Sequence, residues 1–566
     1  MGRSVGDLLP RSRVQGPRKT LVGASASLVR RAVTPGRLAV AFGLAGLLYR
    51  VFLVALDVPP ANSDEGAAAL AALHIGEGRH WPIFFYGQDY MGTLHSYLAA
   101  PFVQALGTHW WVMRIPTLAM YALFLFLVFR LTRTLYTPWF ATLAVVVMAL
   151  GSDRVVKDQI IGAGGYSDVA TATAGLMLAA TALALRLEKR QVTYLLGGLL
   201  AGYIVWTHWL ALPYVAVAVL LVGWAGRSVL TKRHVLLAAA GFICGVAPLI
   251  WFNIRSGHPN SLSVLLSLSG ATETAAWSDR IHGGVILGLP LSSGMCAPSR
   301  CETWQLWWGP VYLGLMVVAV VIAIVGIRRS VDPDERRLHA GRLALVIGGA
   351  VTLGAYVASA SSALTPIESA RYLHYGMVSL PAVVWPLWVG VKSAADRAVT
   401  GTPGDHGPGR VTVPRPTRGG VALAAACLVI AGAGIGSLLV ATGQLIAHQP
   451  AYAAKADAER VLVDQLRHDG VTRVYSEYWT CNRLAYVSGE QIRCAVLDED
   501  LTPGFDRYRP YREQVRQSEL VAYVLPTASA MAENFARSAP STTEILGVRN
   551  VAGYQVYLCR QEPAGS

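Results

Sequence analysis

The sequence contains repeated apolar runs of about 18 or more residues, each long enough to cross a bilayer core as a helix. A helix satisfies its own backbone hydrogen bonds, as a segment surrounded by lipid must. Of the 566 residues, 53% are hydrophobic and only 14% are charged, whereas soluble domains carry roughly a quarter charged residues. The chain is therefore predicted to be an all-α polytopic membrane protein.

About eleven spans are expected, with boundaries accurate to a few residues. Their expected positions are residues 38–56, 112–129, 138–150, 169–185, 194–207, 210–224, 235–252, 310–327, 343–358, 376–391 and 421–442. The two runs on either side of His208 are close together and could instead form one broken helix.

The basic residues predict the orientation of these spans. Lys and Arg concentrate in short loops between apolar runs, which is typical of the cytoplasmic side. If the basic segment 1–37 is cytoplasmic, alternation of the spans puts every strong later cluster on that side. These clusters are Arg130/Arg133, Arg186/Lys189/Arg190, Arg227/Lys232/Arg233, Arg328/Arg329/Arg336/Arg337 and Lys392/Arg397/Arg410.

This topology also accounts for the net charge of +14, so we expect no nucleic-acid partner. The first apolar run has no small-residue cleavage site, and no cleavable signal peptide is expected. We predict a multi-pass cell-membrane protein with a cytoplasmic N-terminus and a membrane domain at 38–443. The C-terminal domain, 444–566, would lie outside the cytoplasm.

The C-terminal domain has the pattern of a small α/β layer. Residues 452–468 have helical spacing, and residues 471–475, 520–525 and 551–558 are typical of strands. The Pro-, Gly- and Arg-rich stretch 401–418 is predicted to be a flexible cytoplasmic loop.

Four cysteines lie in segments predicted to be outside, where disulfides are stable. Cys296 is expected to pair with Cys301, and Cys481 with Cys494, although Cys559 leaves the pairing in the C-terminal domain open. No Cys/His spacing resembles a zinc site. No cofactor is expected, and a divalent metal is not excluded.

Asp64 and Glu65 follow directly on the first span and are the candidate catalytic residues. They could simply complement the dipole of a helix capped by Asn62 or Ser63. A carboxylate can also act as general base for a hydroxyl nucleophile. Neighbouring helical residues face different ways, so one should face a substrate and the other should be structural or pair with a cation. We favour Asp64 as the base.

Several other polar residues are candidates for substrate binding. An interfacial belt could explain the aromatics of 81–97, and helix capping could explain Asp168. Arg255 and Arg371 could merely reach the headgroups, or bind a lipid phosphate through charge-assisted hydrogen bonds. The candidates are Gln88, Asp89 and Tyr90 for sugar hydroxyls, the acidic residues Asp158 and Asp168, and Asn253, Arg255, Arg371 and Tyr372 at the outer ends of spans.

Three of these features resemble the glycosyltransferases of the GT-C fold. They are Asp64-Glu65, the segment 84–92 (FFYGQDYMG) and the segment 368–373 (ESARYL). In particular they are similar to the protein O-mannosyltransferase and aminoarabinose transferase superfamily, over residues 38–391. The resemblance implies a polyprenyl-phosphate sugar donor, an outer active site, Asp64 as catalytic base and Arg371 as a phosphate contact.

The C-terminal domain resembles the tails of uncharacterised bacterial members of this group through residues 473–479 and 508–511. The Lys-Pro-Pro-type segment expected of aminoarabinose transferases is replaced by residues 90–94 (YMGTL). Donor contacts in that loop therefore do not carry over.

The leading hypothesis is an inverting transfer of a sugar from polyprenyl phosphate to a hydroxyl of a lipid, glycan or protein outside the cytoplasm. Membrane lipids would be the other partners. A transporter or flippase for lipid-linked sugars is the alternative, although such proteins place charges within spans and often show internal repeats. A scaffold anchored by the spans is a third possibility.

Overall fold

The computed structural model describes residues 34–186, 191–227, 230–255, 260–261, 263–264, 275–298, 300–400, 418–540 and 543–562. Most of the predicted N-terminal segment 1–37, and the predicted loop 401–418 apart from its last residue, lie outside the described residues.

The described chain is mainly helical, with a small sheet near its end. Up to residue 255 the helices are α1 (Pro35–Ala55), α2 (Ser63–Gly76), α3 (Leu94–Leu106), α4 (Trp110–Met113), α5 (Ile115–Leu135), α6 (Pro138–Ala149), α7 (Asp153–Ile160), α8 (Tyr166–Ala184), α9 (Gln191–Thr207), α10 (Leu212–Gly226) and α11 (Lys232–Arg255). The later helices are α12 (Trp277–Ile281), α13 (Gly288–Ser292), α14 (Trp308–Arg329), α15 (Pro333–Ala358), α16 (Ser361–Leu364), α17 (Pro366–Ser369), α18 (Leu380–Thr400), α19 (Arg418–Ala447), α20 (Gln449–His468), α21 (Tyr478–Val487), α22 (Pro510–Arg516) and α23 (Ala530–Arg537).

Every predicted span overlaps one of these helices, but α15 begins ten residues before its predicted span and α18 ends nine residues after its own. Within the described ranges, eight helices are long and apolar enough to cross a membrane, and the bent pair α6–α7 would make a ninth. The remaining two predicted spans are α9, which has 17 residues, and α18, which carries Lys392, Asp396 and Arg397 in its second half. The protein is thus a multi-pass membrane protein.

The sharpest irregularity in the bundle is the 96° bend between α6 and α7. The last carbonyls of a helix have no partner within it, and here Arg50 of α1 supplies one. Its guanidinium donates to the carbonyl oxygens of Met148 (3.3 Å) and Ala149 (2.7 Å), and its Nε donates to Oε1 of Gln159 on α7 (3.0 Å). Arg50 is fully buried, so this one side chain ties both arms of the bend to α1.

The C-terminal domain contains a mixed five-stranded sheet. Its strands are β1 (Arg473–Ser476), β2 (Arg493–Val496), β3 (Leu520–Pro526), β4 (Thr543–Val551) and β5 (Tyr554–Gln561). Their order is β2-β1-β3-β5-β4, with β1 parallel to β2 and β3, and β5 antiparallel to β3 and β4.

One strand prediction was wrong. Residues 551–558 do not form a single strand, because β4 ends at Val551 and β5 begins at Tyr554. Ala552 and Gly553 between them both have positive φ, 51° and 86°. Two consecutive residues with positive φ are typical of the tight turn of a β-hairpin. The turn was missed because Ala552 rarely adopts this conformation.

The C-terminal domain lies directly against α2. The backbones of α2 and α21 are so close that a Cβ on Gly66 would be 2.7 Å from the carbonyl carbon of Asn482. The Asn482 side-chain amide donates to Oγ of Ser63 (2.8 Å), and Nε2 of His74 contacts Oε1 of Glu490 (2.9 Å). These contacts run along α2 and hold the domain over the membrane helices.

Two disulfides are formed, Cys296–Cys301 and Cys481–Cys494. The second lies within the C-terminal domain and joins α21 to β2. Cys559 on β5 is buried and unbridged.

We predict that Arg50→Met lowers the free energy of unfolding by about 3 kcal/mol, because it leaves buried carbonyls without their charged donor. SDS-induced unfolding of the purified protein measures this. Arg133→Met is the matched control, since Arg133 is an exposed residue of α5, and its effect should stay below about 0.5 kcal/mol. Equal stability of Arg50→Met and wild type would contradict the assigned role.

Candidate active site

A cavity of about 450 Å³ lies between one end of the helical bundle and the C-terminal domain. Its walls come from five parts of the chain. They are Asn62, Asp64, Phe85, Gln88, Tyr90 and Met91; Arg154, Lys157, Asp158, Ile161, Ala163, Gly164 and Tyr166; His208, Trp209 and Leu210; Glu368, Arg371 and Tyr372; and Trp479 and Arg507.

Asp64 lies in the first turn of α2, whose N-terminus is capped by Asn62. Oδ1 of Asn62 accepts from the backbone N–H of Glu65 (2.8 Å), so the capping part of the sequence prediction is confirmed. The cap fixes the direction in which the first-turn side chains leave the helix. Asp64 points into the cavity and is 9% exposed.

Three groups contact the Asp64 carboxylate. Oδ1 accepts from Nη2 of Arg507 (2.7 Å) and from the hydroxyl of Tyr478. Nη1 of Arg371 is 3.8 Å from Oδ2. Burial raises the pKa of Asp64, but the charge of Arg507, the Tyr478 hydrogen bond and the charge of Arg371 together hold that pKa below its ordinary value. Asp64 is therefore ionised at neutral pH.

Glu65 points away from the cavity. Its two carboxylate oxygens accept from Nε (2.9 Å) and Nη2 (2.8 Å) of Arg114, which precedes α5. Both side chains are buried, with 0% and 1% exposure. Glu65 thus joins α2 to the membrane bundle, and the structure does not place it where it could contact a substrate in the cavity.

The cavity that contains Asp64 also has a cationic wall, which consists of Arg154, Lys157 and Arg371. The Nε atoms of Arg154 and Arg371 are buried and have no hydrogen-bond partner among the described residues. The Arg371 guanidinium also lies over the rings of Tyr166 (5.7 Å) and Tyr372 (5.8 Å). Guanidinium N–H donors without protein acceptors can bind an oxyanion strongly.

Of the other predicted residues, Gln88, Tyr90, Asp158, Arg371 and Tyr372 line the same cavity as Asp64. They come from segments far apart in sequence, which the helical bundle brings to one end.

Four predicted binding residues do not line this cavity. Asp89 is exposed, and Asp168 is buried among helices, where it accepts from the Tyr203 hydroxyl (2.6 Å). Asn253 donates to the Leu249 carbonyl (2.8 Å), and the exposed Arg255 lies over the Trp251 ring (4.0 Å). Asp168, Asn253 and Arg255 therefore have local structural partners, which sequence position alone could not distinguish from substrate binding.

Several residues of the cavity were not predicted from the sequence, namely Arg154, Lys157, His208, Trp479 and Arg507. Arg154 and Lys157 lie on α7, a short helix between the predicted spans 138–150 and 169–185. Residues three positions apart lie on one face of a helix, so the spacing of Arg154 and Lys157 could have predicted a cationic helix face. Trp479 and Arg507 belong to the separate C-terminal domain, and no local pattern indicates that they reach the membrane part.

Among the described residues, no three His, Cys, Asp or Glu side chains are grouped so that they could hold a metal ion.

We predict that Glu65→Gln lowers the free energy of unfolding by about 3–5 kcal/mol, because it leaves the buried Arg114 charge uncompensated. The double variant Glu65→Leu/Arg114→Met should recover most of that loss, since no buried charge then remains. SDS-induced unfolding of both variants, with the exposed Glu77→Gln as control, measures this. A double variant no more stable than Glu65→Gln would be inconsistent with a structural ion pair.

No protein-family model and no curated protein matches the sequence. The structure of ArnT from Cupriavidus metallidurans in the apo state matches with a TM-score of 0.52 and 12% identity, covering 94% of this chain and 98% of ArnT.

Two archaeal structures are more distant. The Archaeoglobus fulgidus oligosaccharyltransferase in the apo form has a TM-score of 0.44 and 12% identity, covering 86% of this chain and 69% of its own. The oligosaccharyltransferase AglB from the same organism, in complex with an inhibitory peptide and a dolichol-phosphate, has a TM-score of 0.45 and 11% identity at the same coverage. The similarity to ArnT extends over nearly both whole chains, and the protein has a GT-C-like fold.

Proposed function

We propose that this protein is a membrane glycosyltransferase that moves a sugar from a polyprenyl-phosphate donor to a hydroxyl acceptor outside the cytoplasm. The observation that carries the proposal is one cavity that contains both an ionised carboxylate, Asp64, and the cationic wall of Arg154, Lys157 and Arg371. The ArnT-like fold supports it, since the family resemblance of the sequence implies the same class of donor.

Asp64 would act as the general base. An alcohol is a poor nucleophile until its proton is accepted in the transition state. Asp64 Oδ2 would take the proton of the acceptor hydroxyl while the acceptor oxygen bonds to the anomeric carbon of the sugar. The bond from that carbon to the phosphate oxygen breaks, and polyprenyl phosphate leaves.

The cationic wall would bind the donor phosphate. As the glycosidic bond breaks, the phosphate gains negative charge, and preorganised cations stabilise that charge in the transition state. Four cations (Arg154, Lys157, Arg371, Arg507) and three carboxylates (Asp64, Asp158, Glu368) line the cavity, which leaves an excess of positive charge. Gln88 and Tyr90 line the same cavity and are proposed contacts for sugar hydroxyls.

The position of the cavity along the helices supports an outer active site. Arg130 and Arg133 lie in the last turns of α5, whereas α5 begins beside Arg114, the partner of Glu65. In α15, Arg336 and Arg337 lie at the start, and the cavity residues follow its end. The basic clusters and the cavity are thus at opposite ends of the bundle, and basic clusters are typical of the cytoplasmic side.

An apolar groove of about 220 Å³ between α6, α14, α18 and α19 supports a lipid-linked donor. It is lined by residues such as Ala144, Trp308, Val384 and Gly434. Helix α6 lines the groove, and α7, which follows it after three residues, carries Arg154 and Lys157 of the cationic wall. A phosphate held by α7 would therefore lie next to a groove suited to the isoprenoid chain.

We predict that Asp64→Asn lowers the rate of sugar transfer by about 10²–10⁴-fold, which is the usual contribution of a general base. The assay measures transfer by purified protein in vesicles that contain a polyprenyl-phosphate sugar. The donor and acceptor to use are identified beforehand by mass spectrometry of envelope glycans and secreted proteins from cells that make the protein and from cells that lack it. Donor binding should persist, because the cationic wall is intact. Transfer that survives in Asp64→Asn would refute the base assignment, and movement of labelled donor across the bilayer without a new glycosidic bond would indicate a transporter.

We predict that Gly434→Leu raises KM for long-chain donors by about tenfold. The added side chain would exclude roughly two methylene-sized groups of the lipid from the groove, at about 0.8 kcal/mol each. A Cβ at this position has room, since its nearest neighbour would be Trp308 at 3.9 Å. The readout is KM for donors of long and short isoprenoid chains.

Gly432→Leu is the matched control for this test, because Gly432 is exposed on the same helix and does not line the groove. An equal effect of Gly434→Leu on long- and short-chain donors would argue against lipid binding in the groove.

A further inference from the structure

The C-terminal domain contributes side chains to the cavity as well as covering it. Arg507 precedes α22, and Tyr478 begins α21, whose N-terminus lies against that of α2. We propose that Arg507 and Tyr478 are positioning residues that engage one oxygen of Asp64 and leave the other, Oδ2, as the atom that receives the acceptor proton. This inference rests on the proposed glycosyl transfer and names the part of the chain that orients its base.

The two carboxylate oxygens of Asp64 have unequal surroundings. Oδ1 accepts two hydrogen bonds, from Nη2 of Arg507 (2.7 Å) and from the Tyr478 hydroxyl. The Tyr478 oxygen in turn accepts from Nε of Arg507 (2.7 Å), so its own proton is directed at Asp64. These three side chains form a closed triangle around Oδ1.

Among the described residues, Oδ2 has no comparable partner. Its cationic neighbour, Nη1 of Arg371, is 3.8 Å away, beyond ordinary hydrogen-bond distance. Oδ2 is thus the oxygen that an incoming hydroxyl can approach.

Arg507 and Arg371 are held differently. Arg507 is 7% exposed, donates Nη1 to the Tyr86 carbonyl (3.3 Å) and lies over the Phe85 ring (4.5 Å). All three guanidinium nitrogens of Arg507 therefore have acceptors. The side chain of Arg371 is 32% exposed, and its Nε has no partner among the described residues. Arg507 is fixed on Asp64, whereas Arg371 can turn towards a donor phosphate.

This arrangement also sets the proton affinity of Asp64. The charged or titratable groups near it are Arg507 and Tyr478 from the C-terminal domain, Arg371, Tyr90 and Tyr166, with Arg154, Lys157, Asp158, His208, Glu368 and Tyr372 also lining the cavity. Burial raises the pKa of Asp64, and the Arg507 charge is the largest of the effects that lower it.

Without Arg507, burial would act with less opposition and the pKa of Asp64 would rise. A base must be ionised to accept a proton, so the transfer rate falls as the pH drops through that pKa. The acid limb of the pH–rate profile should therefore move to higher pH when Arg507 is replaced.

The test compares Arg507→Gln, Arg507→Lys and Tyr478→Phe with wild type. We expect the acid limb of Arg507→Gln to move up by about one to three pH units, which is the usual effect of an opposite charge on a carboxylate. Arg507→Lys should restore most of the shift because it keeps the charge. Tyr478→Phe should give a smaller upward shift because it removes one hydrogen bond and keeps the ring.

Arg549→Gln is the matched control. Arg549 is an arginine of the same domain that pairs with Asp469 (2.8 Å), is 61% exposed and does not line the cavity. Its profile should equal that of wild type.

A second measurement needs no turnover. Infrared titration of the carboxyl band that disappears in Asp64→Asn reports the pKa of Asp64 in each variant. An upward shift in Arg507→Gln supports the inference even if no sugar transfer is found, in which case the proposed function alone fails. An unchanged Asp64 titration in a folded Arg507→Gln overturns the inference, even if wild type transfers sugar and Asp64→Asn does not.

Discussion

The buried ion pair between Glu65 and Arg114 fixes the geometry on which the cavity depends. It anchors the first turn of α2 to the start of α5 through two hydrogen bonds of 2.9 and 2.8 Å. Successive residues on an α-helix leave it about 100° apart. Because Glu65 is held towards the bundle, Asp64 must leave the helix in another direction, and that direction is the cavity. Two adjacent carboxylates thereby acquire separate roles.

The second constraint is the fit between α2 and the C-terminal domain. Gly66 allows α21 to approach α2 so closely that any larger side chain would meet the backbone of Asn482. This approach brings Tyr478 and Arg507 to Asp64. The bend after α6, held by Arg50, places Arg154 and Lys157 of α7 in the wall of the same cavity. Each wall is thus positioned by a contact that lies outside the cavity itself.

The sequence was sufficient for much of the fold because apolar runs and helical spacing are local signals. It predicted the positions of the membrane helices and the small α/β domain, and the rule for adjacent helical residues anticipated different surroundings for Asp64 and Glu65. It could not identify Arg114 as the partner of Glu65, since the two are 49 positions apart and meet only in the folded bundle.

The site residues that were not predicted from the sequence were missed for a common reason, which is that distant contacts bring them to the cavity. Arg507 is 443 positions from Asp64, and only the docking of the C-terminal domain brings them together. Helix α7 has only eight residues between two predicted spans, and the bend that precedes it depends on Arg50. Conversely, Asp168 and Arg255 were predicted to bind substrate because they are charged residues at the predicted ends of spans. In the folded protein Asp168 instead accepts a hydrogen bond from a tyrosine hydroxyl, and Arg255 lies over a tryptophan ring.

The central claim is that Asp64 and the cationic wall act on one lipid-linked phosphate at the outer end of the bundle. A cryo-EM structure in nanodiscs with a bound polyprenyl phosphate tests it most directly. We expect the phosphate to contact Arg154, Lys157 and Arg371, with the isoprenoid chain in the groove beside Gly434. A phosphate bound at the end of the bundle that carries Arg133 and Arg329, or outside the cavity that contains Asp64, would contradict the claim.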